Sequence, residues 1–330
     1  MFIILYFKYF FRSEIKLSTG KYARFTSGSV IATVGDTSIM TTVVRNNVLS
    51  NNSIIPLTVN YRQKAAAIGR IPTNFFRREL GYTDNEILVS RIIDRSLRPL
   101  FQPKYSYETQ IVCNLLAIDG INNPDVLSIN AASAALSISD IPWNGPVAAV
   151  RIGLIDNTYI INPSKRELQQ SKLNLVLSCI SKNLIVMIEG SANDILEPEL
   201  RKAIKLGIKE CQTIINSISE LQKQIGKPKL NIVSDDELNN DVEEFVREFV
   251  SNELREIFNY HFHDKISRDN AIFDLRNRML EKIKNHDSKY IENALKIFSN
   301  ISKEIFRSLI FETEKRYFLL KNIVFYFLLN

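Results

Sequence analysis

The chain has 330 residues, of which 45% are hydrophobic and 24% charged, with a formal net charge of +6 at pH 7. This length allows two domains with real cores, and the balance excludes a disordered or fibrous protein. No stretch reaches the roughly 20 consecutive apolar residues that a membrane-spanning helix needs. Cys113, Cys179 and Cys211 are odd in number and lack metal-ligand spacing, which favours reduced thiols in an intracellular compartment.

The two ends of the chain differ from everything between them. Residues 1–12 and 317–330 are crowded with Phe, Tyr, Leu and Ile. The first segment has neither the Arg and Ser content of a mitochondrial transit peptide nor a signal cleavage site. We therefore predict two unassigned apolar tails that do not belong to the folded protein, with a membrane anchor as the alternative.

Alternating polarity dominates the first part of the chain. Residues 17–44 alternate between apolar and polar, with turn residues at 27–29 (SGS) and 35–37 (GDT), which predicts an antiparallel meander. Residues 54–61 are predicted to form another strand, followed by a loop through Gly69 and Pro72.

A helix is predicted to begin after Thr83 and to end by Pro99. Thr83 and Glu86 have the spacing of a capping box, and proline is not compatible with a helix interior. Three arginines at spacings i, i+4 and i+7 fall on one flank of this helix: Arg91, Arg95 and Arg98. Four apolar residues are predicted to cover the other flank: Leu88, Ile92, Ile93 and Leu97.

The remaining elements mix strands and helices. The patterns predict a buried strand at 110–119, a small-residue helix at 129–139, a hairpin at 147–162, strands at 173–179 and 184–189, and a long amphipathic helix at 198–225. We read a lone glycine in that last helix, Gly207, as the mark of a close contact. This order predicts an α+β domain whose helices pack on antiparallel sheet.

Beyond a boundary predicted at 226–232 the chain changes character. Residues 234–316 are charge-rich, contain no Gly or Pro, and place apolar residues at helical spacing. They predict a small bundle of three or four helices.

Most of the positive charge lies in one window, residues 62–104. It holds nine cations and four acids, and so five of the six net positive charges of the chain. The aromatic pair Phe75 and Phe76 lies there beside Arg77 and Arg78. Cations next to flat rings suit a single nucleic-acid strand, which offers phosphates and unstacked bases. The alternative is that both rings are core residues and that the helix arginines pair with Asp94 and Glu86.

No other pattern indicates a catalytic or metal site. His261, His263 and His286 do not supply enough ligands on one face for a metal and are interpreted as surface or packing residues. The residues by themselves predict a protein that binds RNA or phosphate, without a stated mechanism.

A set of motifs in fixed order makes the chain resemble polynucleotide phosphorylase, especially its animal mitochondrial form. They lie at residues 20–25 (GKYARF), 35–37 (GDT), 69–72 (GRIP), 75–79 (FFRRE), 90–101 (SRIIDRSLRPLF), 131–136 (AASAAL) and 141–146 (IPWNGP). The resemblance covers most of the chain but neither tail.

The resemblance implies an α+β fold with an RNase PH-like core, related to domain 2 of ribosomal protein S5, followed by a small all-helical domain. We place the first RNase PH-like core at 13–230 and the helical domain at 231–316. It also implies a mitochondrial homotrimer with two cores, KH domains and S1 domains. The activity would be phosphorolytic 3′→5′ degradation of single-stranded RNA, using inorganic phosphate and Mg²⁺ or Mn²⁺. Within that family the FFRR loop grips the RNA strand.

That role passes to Phe75, Phe76, Arg77 and Arg78, and phosphate contact passes to Arg91, Arg95 and Arg98. Catalysis in the family belongs to the second core, and this sequence stops before one. Its own core has residues 124–127 (PDVL) in place of a serine-rich phosphate loop, and Asn174 and Val176 in place of a carboxylate and a cation. We therefore predict no catalytic and no metal-binding residue in this chain.

Three functions remain open at this point. The first is the N-terminal portion of a phosphorolytic exoribonuclease, which supplies RNA-channel and ring contacts. The second is a non-catalytic RNA-binding or assembly module. The third is a generic α+β domain whose basic patch binds another polyanion.

Overall fold

The computed structural model describes residues 3–8, 14–49, 55–73, 81–102, 105–230, 236–260, 263–283 and 288–313. The chain divides into two compact units, Met1–Ile232 and Val233–Asn330. Each unit has its own hydrophobic core.

A six-stranded sheet opens the first unit. Its strands are β1 (Ile3–Lys8), β2 (Glu14–Thr19), β3 (Gly28–Val34), β4 (Thr37–Leu49), β5 (Leu57–Gln63) and β6 (Tyr107–Ala117), in the spatial order β1-β2-β3-β4-β6-β5. The antiparallel pairing of β2, β3 and β4 confirms the predicted meander. Two features differ from expectation. Strand β5 pairs with β6 in parallel, and β1 pairs with β2 although its residues were predicted to lie outside the fold.

Helix α1 (Asp84–Leu97) connects the parallel strands β5 and β6. The predicted capping box is present: the Glu86 N–H donates to Thr83 Oγ1 at 3.3 Å, and the Thr83 N–H donates to Glu86 Oε2 at 2.8 Å. A 3₁₀ turn at Arg98–Leu100 ends the helix, as the proline requires. The buried flank is shifted from the predicted one, because Val89 is buried while Leu88 is 55% exposed.

Helix α2 (Pro124–Ile138) packs against β3 and β4 of this sheet and against the second sheet described below. Its small residues allow a close approach: a Cβ on Gly28 of β3 would lie 2.2 Å from the carbonyl oxygen of Ala135. The helix begins five residues before the predicted start. The segment 124–127, which stands in place of the phosphate loop that the resemblance implies, is therefore its first turn.

The second sheet is antiparallel and has four strands. They are β7 (Val147–Ile155), β8 (Thr158–Ile161), β9 (Leu173–Ile180) and β10 (Ile185–Ala192), in the order β10-β9-β7-β8. The hairpin turn at Asp156 and Asn157 is confirmed, with both residues at positive φ. A short helix that the sequence analysis missed, α3 (Lys165–Gln170), lies between β8 and β9.

The long helix α4 (Glu197–Ile225) covers the second sheet. A Cβ on Gly207 would lie 2.6 Å from Ile152 Cδ1 and 2.8 Å from Leu177 Cδ2, which confirms that this glycine marks a close contact. Cys179 and Cys211 are buried, and neither forms a disulfide.

The second unit contains three described helices: α5 (Asp236–Asn259), α6 (Lys265–Ile283) and α7 (Ser288–Thr313). Their core contains Val242, Val246, Val250 and Leu254 of α5. Phe258 of α5 also belongs to this core and Phe249 packs against it, whereas Phe245 is 37% exposed. Among the helices that the structure describes, none combines the length and the apolar character of a membrane span.

Candidate nucleic-acid interface and the start of helix α2

The predicted RNA-gripping residues Phe75, Phe76, Arg77 and Arg78 lie in segment 74–80, outside the described residues. Their role stays a prediction. The structure does describe the ends of the loop that carries them, and the helix that follows.

Both ends of that loop are tied to one buried carboxylate. Glu86 is 4% exposed. Its Oε1 accepts the Gln63 N–H at 2.7 Å, and its Oε2 accepts the Thr83 N–H at 2.8 Å. Burial by itself raises the pKa of Glu86, but the N–H groups of Thr83 and Gln63 outweigh it and hold the pKa below its usual range. Glu86 therefore ties the end of β5 to the start of α1, and so holds together the two described ends of the loop predicted between them.

The described parts of this loop carry cations and exposed apolar groups. The Arg62 guanidinium carbon lies 3.9 Å from the centroid of the Tyr82 ring, which is a cation–π contact. Ile68 is 60% exposed and Ile71 82% exposed, and Lys64 and Arg70 are exposed beside them. Large exposed apolar side chains next to cations are typical of a binding surface rather than of a core.

Helix α1 presents two of the three predicted arginines to solvent. Arg91 is exposed. Arg95 Nη1 pairs with Glu189 Oε2 of strand β10 at 2.5 Å, and both side chains are about half exposed. The alternative partner foreseen for the helix arginines on α1 was Asp94 or Glu86, so the contact with β10 was missed. A half-exposed ion pair is weak and can be exchanged for a phosphate.

Arg98 is held by the protein itself. It makes a bidentate contact with Asp94, donating from Nε at 2.8 Å and from Nη2 at 2.6 Å. It also donates to the carbonyl oxygens of Ile55 at 2.8 Å and Leu57 at 2.9 Å. These bonds use four of its five donors. Arg98 thus fixes the end of α1 to the start of β5, and its phosphate contact stays a prediction with one donor left for it.

The start of helix α2 is the place where a phosphate loop was predicted to be missing. A helix N-terminus can bind an anion through its free N–H groups. Here Pro124 has no N–H, and Asp125 Oδ1 accepts the Val126 N–H at 2.8 Å. Asp125 Oδ2 accepts a hydrogen bond from Arg151 Nη2. The protein therefore occupies this N-terminus with its own carboxylate and guanidinium.

The second missing cluster lies against the same arginine. In the pairing of β7 with β9, Arg151 faces Val176 and Gly153 faces Asn174. Val176 is 5% exposed, and Asn174 Oδ1 is buried without a hydrogen-bond partner. Val176 and Asn174, the two positions compared with a catalytic cluster, thus lie on the strand next to Arg151, one opposite it and the other two residues further along.

The cavity left at the start of α2 is small. A cavity of about 50 Å³ is lined by polar residues that include Asn122, Asn123 and Arg151. It has room for one or two water molecules. None of the described residues that line it is acidic, and the nearby Asp125 is paired with Arg151, so these residues do not fit Mg²⁺ or Mn²⁺, which need several free oxygen ligands. Within the part of the chain that the structure describes, no three His, Cys, Asp or Glu residues cluster as metal ligands.

Comparison with known proteins gives this arrangement a context. Residues 12–142 match domain 1 of the 3′ exoribonuclease family (RNase PH), and residues 145–210 match domain 2 of the same family. The two matches are consecutive and together cover more than half of the chain.

Curated relatives named polyribonucleotide nucleotidyltransferase are similar over nearly the whole chain. The protein of Methylacidiphilum infernorum (isolate V4) is 41% identical over 304 residues, which are 92% of this chain and 42% of that protein. The protein of Desulfotalea psychrophila (strain LSv54 / DSM 12343) is 37% identical over 295 residues, 89% of this chain and 42% of that protein. The chain thus spans about two fifths of the length of these relatives.

A solved structure described as an archaeal exosome core covers 65% of this chain and 87% of its own, with 16% identity and a TM-score of 0.49. The two domain matches carry the assignment of the fold. The chain belongs to the 3′ exoribonuclease family, and its first unit contains both domains of an RNase PH-like core.

Proposed function

We propose that this chain is the N-terminal portion of a polyribonucleotide nucleotidyltransferase that degrades RNA by phosphorolysis from the 3′ end. In this reaction inorganic phosphate attacks the terminal phosphodiester, and a nucleoside diphosphate leaves. The observation that carries the proposal is the pair of consecutive domain matches, on a chain whose similarity to proteins of this name extends over about nine tenths of its length.

In this proposal the chain binds RNA but does not perform the chemistry. Phosphorolysis needs cations on the phosphates, in-line positioning and an acid for the leaving oxygen. At the start of α2 the Asp125 carboxylate is engaged by Arg151 and by the Val126 N–H. Asn174 and Val176 supply neither proton nor positive charge. The metal ions, Mg²⁺ or Mn²⁺, and the attacking phosphate are then held by a second core elsewhere in the complete protein.

The contribution of this chain is the grip on the strand. Phe75 and Phe76 stack on bases, at about 1–3 kcal/mol per base, and Arg77 and Arg78 contact phosphates. Arg91 and Arg95 extend the positive surface along the exposed flank of α1. Arg98 supports them by fixing the end of α1 to β5.

Finer properties also belong to the proposal and are supported by the motif resemblance. They are the animal mitochondrial type, a location in mitochondria and a homotrimeric ring. Sedimentation of the full-length gene product and imaging of a tagged copy in cells test them. A monomer, or a tagged protein outside mitochondria, would refute the corresponding part.

Two assays test the division of labour. This chain and the full-length gene product are each incubated with a labelled single-stranded RNA, with and without inorganic phosphate, and nucleoside diphosphates are measured. We expect phosphate-dependent release from the full-length product alone, and RNA binding by both. Robust release by this chain would contradict the closed site at Asp125 and Arg151.

A second function is favoured by one observation, the internal ion pair that closes the start of α2. If the full-length product binds RNA but releases no nucleoside diphosphate, the protein is a non-catalytic RNA-binding or assembly module. In either case the double substitution Phe75→Ala and Phe76→Ala should weaken RNA binding and leave its salt dependence nearly unchanged, because stacking releases no counterions.

A further inference from the structure

A second surface of the first unit combines cations with exposed rings. It is the loop between β2 and β3, residues 20–27. Phe25 is fully exposed at 106%, and Tyr22 is 50% exposed. Burying a phenylalanine side chain contributes about 1.5–3 kcal/mol, so a ring left in solvent forgoes that stabilisation unless a ligand covers it. Lys21 Nζ lies 5.1 Å from the centroid of the Tyr22 ring, and Arg24 is also exposed.

The loop borders a groove large enough for part of a polymer. A cavity of about 690 Å³ lies between the loop and the C-terminal ends of α2 and α4, where its wall includes Arg24, Ile138 and Lys227. A separate cavity of about 140 Å³ lies along β2, on the sheet face that does not pack on α2, and includes Lys16. Both cavities are lined by Lys21.

Among the described residues that line these cavities, the charged ones are all positive. Four cations line the two cavities, and no acidic residue is among the described residues that line them. Serine and threonine hydroxyls also line the cavities, and four of them donate to backbone carbonyl oxygens: Ser18, Thr19, Thr26 and Ser29. Cations contact phosphate oxygens, and exposed rings stack on bases.

The loop is held in shape before any ligand arrives. The Thr26 hydroxyl donates to the Ala23 carbonyl at 2.7 Å, and the Ser29 hydroxyl donates to the Tyr22 carbonyl at 3.0 Å. Lys227, which follows α4, donates from Nζ to the Ser27 carbonyl at 2.8 Å. A preorganised surface loses less conformational entropy on binding.

This surface is separate from the α1 flank. The loop joins β2 to β3, whereas α1 packs on β5, and β2 and β5 are four strand positions apart in the sheet. At about 4.8 Å per position the two surfaces are roughly 19 Å apart across the sheet.

We propose that residues 20–27, together with Lys16 and Lys227, form a second contact site for single-stranded RNA, outside the FFRR loop and the α1 flank. The proposal rests on the proposed function, which makes RNA the polyanion that this protein meets. Lys21 and Arg24 bind phosphates, and Phe25 stacks on a base.

The test compares two variants that lose the same charge. Binding of a fluorescein-labelled 20-nucleotide oligouridylate to the full chain is measured from low to physiological salt. With Lys21→Ala and Arg24→Ala combined, the slope of log K against log salt should flatten by about 1.4, since each phosphate contact to a single strand contributes about 0.7. The control combines Lys202→Ala and Lys205→Ala on the exposed face of α4, roughly 30–35 Å along the helix from Ile225. Its slope should not change.

Phe25→Ala should weaken binding and leave the slope nearly unchanged, because the ring stacks and carries no charge. Cross-linking with 4-thiouridine RNA should label the peptide that contains Tyr22 and Phe25. The fluorescence of Trp143, the single tryptophan, shows that each variant is folded.

The outcomes separate this inference from the proposed function. If the loop variants and the cross-links show no effect while Arg91→Ala with Arg95→Ala weakens binding, the second site is refuted and the proposed function stands. If no variant at either surface affects RNA binding, both are refuted. If the loop variants bind RNA normally but no longer capture a protein partner, the surface is a protein interface and the inference is wrong.

Discussion

Helices α1 and α2 both pack on the six-stranded sheet, but their first turns differ in what they leave accessible to solvent. The start of α1 opens outward: its capping box uses Glu86 to close the base of a basic loop, and Arg91 and Arg95 remain exposed. The start of α2 is closed: Pro124 removes a donor, Asp125 accepts the Val126 N–H, and Arg151 pairs with Asp125.

The difference shows how the surroundings of an ion pair decide whether its arginine is available to a ligand. A carboxylate largely withdrawn from water needs a partner, and Asp125, whose side chain is 18% exposed, pairs with Arg151. The same kind of pair at the surface, Arg95 with Glu189, is weak enough to exchange with a ligand. Burial of the ion pair, rather than the presence of arginine, therefore separates scaffold from binding surface in this core.

The largest effect is expected from breaking the closed pair. Arg151→Ala leaves the Asp125 carboxylate, whose side chain is only 18% exposed, without its cation. Removing one partner of a buried pair costs about 3–5 kcal/mol, so the free energy of unfolding should fall by about 3 kcal/mol. Urea titration followed by Trp143 fluorescence measures this in the first unit, where that ring is buried.

The matched control is Arg201→Ala on α4. Arg201 pairs with Glu197 at 2.6 Å, and both side chains are 52% exposed. An exposed pair contributes at most about 1 kcal/mol. Equal losses in the two variants would show that Arg151 and Asp125 are not the closed pair described here.

The other end of α2 gives a pH-dependent prediction. Lys229 Nζ donates to the carbonyl oxygens of Leu136, Ser137 and Ser139 at 2.7–3.1 Å. Burial lowers the pKa of Lys229 to about 8, and nearby Asp140 only partly opposes this. In the unfolded chain the pKa of lysine is about 10.4. Between these two values the unfolded chain binds more protons, so the stability contributed by this group rises with pH, by about 1 kcal/mol per pH unit.

Lys229→Met should lack this rise. The difference in the free energy of unfolding between wild type and variant, measured at pH 7, 8, 9 and 10, isolates the lysine from the other groups that titrate there. It should be flat below pH 8 and grow in favour of the wild type above it. A constant difference across the series would mean that folding does not lower the pKa of Lys229.

Local sequence signals predicted much of the first unit because each signal lies within a few residues of the helix or turn that it specifies. Thr83 and Glu86 fixed the start of α1, and Asp156 with Asn157 fixed the hairpin of the second sheet. The start of α2 was missed although proline at the first turn is itself a helix-start signal. The predicted helix began at residue 129, whereas the signal at Pro124 places its first turn at residues 124–127.

Features that depend on contacts distant in sequence could not be predicted. Nothing near Arg95 indicates that its partner is Glu189, 94 residues away. Likewise, Arg151 and Asp125 meet only because β7 packs beside α2. The parallel pairing of β5 with β6 follows from the crossover through α1, which strand patterns alone do not reveal.

The open surface is tested by salt dependence. Arg91→Ala combined with Arg95→Ala should flatten the plot of log K against log salt for single-stranded RNA by about 1.4, since two phosphate contacts are lost. The control, Lys165→Ala with Arg166→Ala, removes the same charge from α3, which follows the opposite edge strand of the second sheet, β8. A similar flattening in both variants would show that the α1 flank contributes only non-specific electrostatic attraction to RNA.

The smallest expected effect is an increase in RNA affinity. Glu189→Gln removes the carboxylate that competes with RNA for Arg95 but keeps a side chain of the same size. A half-exposed pair of this kind contributes about 0.2–1 kcal/mol, so RNA affinity should increase by up to about fivefold. The gain should disappear when Arg95→Ala is already present, because the coupling of the two residues is then lost. Glu197→Gln on α4 removes an equal charge from a pair of similar exposure and should give no comparable gain. If Glu189→Gln leaves affinity unchanged, or if the gain persists without Arg95, then Arg95 does not contact the RNA and the open flank is reduced to Arg91.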